Sequence, residues 1–207
     1  EPAVATPVLE LRERVPGLCF KLDPTPAWDD ALIAELAATG AVLTADLKGL
    51  YSDSPVDNPP DPDLYRRIAE AFPDAWIEDP GVTEQTRPVL EPHHERVTWD
   101  ANIHGIADIE ALPWPPRAIN IKPSRFGPVA NLLATYEYCD EHDIEMYGGG
   151  QFELGVGRGQ IQYLASIFHP DTPNNVAPRV FNLPERPHDL PAPPLAPAPH
   201  HSGFRWG

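Results

Sequence analysis

Short apolar runs that end in a charged or polar residue alternate along this chain with stretches whose apolar residues recur every three or four positions. The runs cover 18–22, 41–46, 75–78, 96–100, 118–122 and 144–147. Their lengths and their Gly, Pro or polar borders are those of strands. Between them, 27–38, the spacing Leu64, Ile68, Phe72, then 103–112, 129–142 and 160–168 predict helices, and a first helical pattern covers 8–15. Gly40 ends the helix over 27–38, and the segment through His93 and His94 is a proline-broken connection. Repeated strand-then-helix order implies right-handed crossovers and a parallel sheet covered by helices.

An open doubly wound sheet would advertise a phosphate loop early. The glycine-rich stretch 148–159 has no lysine for a Walker loop and follows the sixth run rather than the first. The expected fold is therefore α/β, a TIM-type (β/α) barrel. Six clear runs and a weak one near 176–181 fall short of the eight strands a closed barrel needs, so something is expected to be missing at the front. Residues 1–182 are read as a partial barrel domain. The segment 183–207 is a proline-rich tail that can form neither a helix nor a central strand. It is expected to pack against the body as an extended strap, anchored by Phe204 and Trp206.

Composition narrows the function. The 207 residues fit one domain, and the balance of 15 basic to 31 acidic residues, a net charge of −16, argues against nucleic acid and anionic membranes as partners. No apolar stretch has the length of a membrane span, and the start lacks the pattern of a secretory signal, so a cytoplasmic location is expected. Cys19 and Cys139 have no paired spacing and are read as packed, reduced thiols.

The ends of the runs carry the chemistry. Asp46, Glu78, Asp100 and Lys122 close four of them, and a strand that buries its body presents its last residue to one mouth of a barrel. Singly, each acid is better read as a helix N-cap or a solvated loop residue. Together, three carboxylates at one mouth would repel each other unless a cation joined them, and Mg2+ suits hard oxygen donors that leave room for substrate oxygens. Lys122 is the general-base candidate; Lys21, at the matching place on an earlier run, is either a second acid/base or a lysine capping a strand end. His93 and His94 lack a third ligand at zinc spacing.

At these residues the chain resembles the enolase superfamily, in particular the barrel domain of the mandelate racemase and muconate-lactonizing enzyme branch. The matching stretches are Phe-Lys-Leu-Asp at 20–23, Thr-Ala-Asp-Leu-Lys at 44–48, Trp-Ile-Glu-Asp-Pro at 76–80, Trp-Asp-Ala at 99–101 and Asn-Ile-Lys-Pro-Ser-Arg-Phe-Gly at 120–127. The glycine-rich segment at 148–158 is similar to the seventh-strand segment of o-succinylbenzoate synthases and N-acylamino acid racemases. Spacings of 32, 22 and 22 residues between Asp46, Glu78, Asp100 and Lys122 make the set more specific than any motif alone.

The resemblance implies that Asp46, Glu78 and Asp100 bind magnesium, that the ion grips a small carboxylate substrate, and that Lys122 removes the proton beside that carboxylate through an enediolate. Gln151 and Glu153 would contact substrate or serve as loop acceptors; His104 and Arg125 would touch substrate, and Arg158 would brace loops. It also implies a capping domain ahead of the barrel, most of which is expected to be absent from this chain. Homo-oligomers are compatible with this reading.

Two residues depart from the family pattern. Asp23 stands where the second lysine of Lys-x-Lys is usual, which weakens two-base racemisation and leaves Lys21 in the auxiliary place. Lys48 replaces the amide of Asp-x-Asn and adds a positive charge, beside substrate or metal. Elimination by a lyase such as a dehydratase is the leading expectation, with a racemase or epimerase (an isomerase) and a non-catalytic ligand-binding barrel as alternatives.

Overall fold

The computed structural model describes residues 5–52, 54–151, 153 and 155–176; the strap expected over 183–207, with Phe204 and Trp206, lies outside the described residues. The chain folds as two compact units. One holds the residues through Asn102 together with Asp108–Ala118, the other Ile103–Ala107 together with the residues from Ile119 onward.

In the first unit α1 (Ala5–Arg14) precedes β1 (Phe20–Leu22), and then α2 (Asp30–Ala38), β2 (Val42–Asp46), α3 (Pro62–Ala71), β3 (Trp76–Glu78), α4 (Arg87–Leu90) and β4 (Val97–Thr98) follow in strict alternation. The four strands form one parallel sheet in sequence order. Local chemistry sets the helix starts. Asp29 accepts from the Leu32 N–H at 2.8 Å, and Asp61 accepts from the N–H groups of Asp63 and Leu64 with Pro62 at the first turn. Leu64, Tyr65, Ile68 and Ala69 bury one face of α3, as the spacing of Leu64 and Ile68 predicts.

The boundary between the units falls within α5 (Ile106–Glu110) and β5 (Ala118–Ile121). The second unit continues with α6 (Val129–Glu141), β6 (Glu145–Gly149), α7 (Gly155–Phe168) and β7 (Asn174–Asn175). Its sheet runs in the order β5, β6, β7. All four residues of β5 are buried, the mark of a parallel strand covered on both faces. Tyr136 stacks on Phe168 at 4.0 Å between ring centres, joining α6 to α7.

The alternation read from the sequence is present, with differences at its edges. The run over 96–100 is a strand only at Val97–Thr98, because the chain turns at Asp79-bound Asp100 and Ala101. The connection through His93 and His94 is α4 followed by a 3-10 turn at Glu91–Arg96. The helix expected from 160 begins at Gly155; a short strand pairs at Asn174–Asn175, and the weak strand expected over 176–181 lies, past Val176, outside the described residues. Cys19 is exposed, which corrects its reading as a packed thiol; it precedes β1 rather than lying inside it, while Cys139 is buried as expected. Among the described residues the strands fall into two sheets, and no helix is long and apolar enough to cross a membrane.

Arg96 shows how the first unit is locked. Its guanidinium donates to the carbonyls of Ala69, Phe72 and Ala75, closing the end of α3 and the turn into β3. Arg96→Ala leaves these carbonyls without their donor and is expected to lower unfolding stability by about 2 kcal/mol, read by urea denaturation.

Candidate functional site

Register brings two acids together without any long-range coincidence. In the β2–β3 pair Asp46 stands opposite Glu78, so the last residues of neighbouring parallel strands lie side by side. Asp100 follows β4, the next strand of the sheet. All three are essentially inaccessible to solvent. The carbonyl of Glu78 accepts from the Leu47 N–H at 2.9 Å, which carries the ladder past the strand ends and holds the two acids in place.

The chain balances this charge partly with its own cations. The Lys21 ammonium, from the middle of β1, lies 2.7 Å from Asp46 Oδ2 and 2.8 Å from Glu78 Oε1. Burial alone would lower the Lys21 pKa; the charges of Glu78 and Asp46 overcome it and hold the amine protonated, well above its ordinary range. Lys48 places a second ammonium on Asp46 Oδ2, its N–H donates to Asp46 Oδ1 at 3.2 Å, and Tyr51 Oη donates to Asp100 Oδ2 at 3.2 Å. Burial raises the Asp23 pKa, opposed by nearby Lys48.

Glu78 is the least satisfied acid. Its Oε2 is buried without a hydrogen-bond partner, and burial, reinforced by the charges of Asp46 and Asp100 and opposed by Lys21, pushes its pKa up to about 7. A buried carboxylate oxygen with no donor is what a divalent ion would complete, so the residues fit a hard metal ion.

Asp79 went unnoticed in the sequence. Among the described residues Glu78, Asp79 and Asp100 form the group whose ligand oxygens lie within 4.8 Å of one another. Asp79 accepts from the N–H groups of Asp100 at 2.7 Å and Ala101 at 2.9 Å, at a φ of 46° directly before Pro80, where L residues are strained. It therefore shapes the turn that presents Asp100. Burial pushes its pKa up to about 6, with Asp100 adding and those N–H donors opposing. The available signal was an acid beside a proline, which favours a turn.

The remaining candidates belong to the second unit. Lys122 follows β5; a Cβ added to Gly149 would stand 3.1 Å from its Cε, so the lysine stem crosses the glycine of β6. Asn120, two residues back on the same face, keeps a buried Oδ1 without a partner and is a polar group the sequence reading overlooked. Arg125 is half-buried in the 3-10 turn after Lys122, and His104 is exposed with its carbonyl accepting from Asn131. Glu153 Oε2 accepts from the Gln151 N–H at 2.6 Å, a brace within the glycine loop. Arg158 lies in the first turns of α7.

Comparison with known proteins agrees with the motifs. The chain is 36% identical over 61 residues to the o-succinylbenzoate synthase of Bacillus subtilis (strain 168), covering 30% of this chain and 16% of that protein. A solved member of the enolase superfamily from Listeria innocua Clip11262 matches with a TM-score of 0.64 and 21% identity, over 87% of this chain and 49% of that one. A mandelate racemase/muconate lactonizing enzyme-like protein from Roseovarius nubinhibens ISM, solved with magnesium, matches with a TM-score of 0.58 and 16% identity, over 80% of this chain and 48% of that one. The chain thus spans about half the length of the solved proteins it matches and less of the curated relative. The fold is an α/β arrangement with parallel sheets like that of enolase-superfamily barrel domains, as the motifs implied. Residues 1–183 match the family described as the Domain of unknown function (DUF8230) C-terminal domain, and the chain belongs to it.

Ion uptake at this centre is expected to depend on pH. Glu78 must lose a proton that it holds up to about pH 7, so Mg2+ affinity measured by calorimetry is expected to rise from about pH 5 to about pH 7 and level off above, with close to one proton released per ion at about pH 5 and progressively fewer as pH passes about 7. Folding should respond in the opposite sense without metal. The raised pKa stabilises fully below the unfolded value of 4.5, and the contribution is lost as pH climbs through about 7.

Proposed function

We propose that the protein takes part in divalent-metal-dependent removal of a proton beside a carboxylate, with elimination as the outcome and a small carboxylate as substrate. The observation that carries the reading is the buried, partnerless Glu78 Oε2 among acids at the ends of adjacent parallel strands. Mg2+ would be held by Asp46, Glu78 and Asp100, and when bound it would supply positive charge that makes the substrate's carbon acid easier to ionise. The closed (β/α) barrel of the superfamily is the architecture proposed for the whole protein.

The chain's own residues divide the remaining work. Lys122 takes the proton as general base, and the buried Asn120 Oδ1, which meets the same glycine of β6 as the lysine stem, is an open acceptor within that surrounding. Lys21 stays an ammonium, because Asp46 and Glu78 both hold its charge, and acts by neutralising the acids rather than by moving protons. That supports a one-base elimination over racemisation. Arg125 is proposed to bind a distal carboxylate by paired hydrogen bonds, while His104, Lys48, Gln151 and Glu153 line substrate.

A non-catalytic ligand-binding role is the second reading, favoured by the two ammonium groups already on Asp46. Deuterium exchange beside the carboxylate of a panel of acids, followed by NMR with Mg2+ and full-length protein, tests the choice. Lys122→Ala is expected to slow exchange by about 10²-fold or more while Lys21→Met retains measurable exchange. Exchange that survives in Lys122→Ala would remove that lysine as the base; no exchange with any acid would favour the binding role.

A further inference from the structure

The two lysines that meet Asp46 are held differently. Lys21 projects from within β1 and is shared between two acids. Lys48 clamps a single carboxylate with two of its atoms, the N–H on Oδ1 and the ammonium on Oδ2. It does so at a φ of 56°, a left-handed conformation that a lysine rarely adopts and that asparagine or glycine tolerates better. Its ammonium has a second resting place nearby, since Asp23 Oδ1 lies 3.9 Å away, that carboxylate is 58% exposed, and the Tyr51 ring centre lies 5.2 Å from the ammonium.

Asp46 Oδ2 therefore carries two ammonium groups while Glu78 Oε2, on the neighbouring strand, carries no donor. A dication approaching this centre finds one acid open and the other shielded by like charge. We propose that Lys48 is a tethered cation competing with the divalent ion for Asp46, so that the ion is first taken by oxygens of Glu78 and Asp100 and gains Asp46 only as the Lys48 ammonium swings toward Asp23. The flexible four-carbon stem permits that swing, and the loss of one ammonium both frees an oxygen and removes repulsion. Lys48 would then set the affinity of the centre for its ion. This rests on the metal-dependent reading above.

The test needs no turnover. Mg2+ is titrated by calorimetry into wild type, Lys48→Asn and Lys48→Gly, with the ion-induced rise in melting temperature as a second readout; both substitutions suit the left-handed backbone and keep the main-chain N–H on Asp46. Both variants are expected to bind Mg2+ about tenfold more tightly or better, with a larger thermal shift than wild type. Uptake by the variants alone would support the competition in its strongest form. Equal or weaker affinity in both variants, with wild type still binding, overturns the competition and leaves the metal-dependent reading standing. Absence of uptake in all three proteins overturns both.

Discussion

Negative charge that cannot reach water governs this structure. Asp46, Glu78, Asp79 and Asp100 are buried at neighbouring strand ends, where an ionised carboxylate must find cations or hydrogen-bond donors or take up a proton. Each answers the demand differently. Asp46 meets two ammonium groups, Asp79 meets two backbone N–H groups, and Glu78 shares one ammonium on one oxygen while its other oxygen meets nothing. The incomplete answer at Glu78 separates a candidate centre from a structural ion-pair network.

The scaffold around this charge is built to hold loops rather than strands. β3 and β4 are short, so position depends on what happens past their ends. Asn58 donates from its side chain to the carbonyls of Pro24 and Leu47, tying the loops that follow β1 and β2, and Tyr65 Oη accepts from the Gly81 N–H beyond β3. Gly49 and Gly81 approach so closely that a Cβ on Gly49 would collide with the Gly81 backbone. Precision at the acids is supplied by these cross-loop contacts, in the manner expected of groups that must be held by their surroundings rather than by their own rotamers.

Shared architecture and shared chemistry are separable. The likeness to enolase-superfamily domains is one of fold, at identities of 16% and 21% for the two solved proteins compared, and it extends over about half of each. Function must be argued from the site itself, and there the chain departs from the pattern at Asp23 and Lys48. Both departures meet on the same side of Asp46, where Lys48 lies between Asp46 and Asp23. The two departures offset each other only in part, and the Lys48 ammonium, paired with Asp46 and 3.9 Å from Asp23, supplies the positive charge that the buried acid meets there.

Local patterning was enough to read most of the elements, because apolar runs and helical spacing report burial directly. β2 and β3 end at Asp46 and Glu78 as read, and α6 covers nearly the stretch expected. The edges were harder: Asp100 lies beyond β4 because a turn held by Asp79 ends the strand, and that turn depends on the side chain that follows β3, 21 residues before Asp100 in the chain. The sequence by itself determined that Asp46 and Glu78 end their strands and that acidic charge is in excess, since period and composition are local properties. Only the tertiary structure decided which cation each acid meets, that Asp79 serves the backbone of Asp100, and that Glu78 keeps an open oxygen. Those outcomes depend on register and on contacts between residues as far apart as Lys21 and Glu78, and no local pattern along the chain encodes such distances.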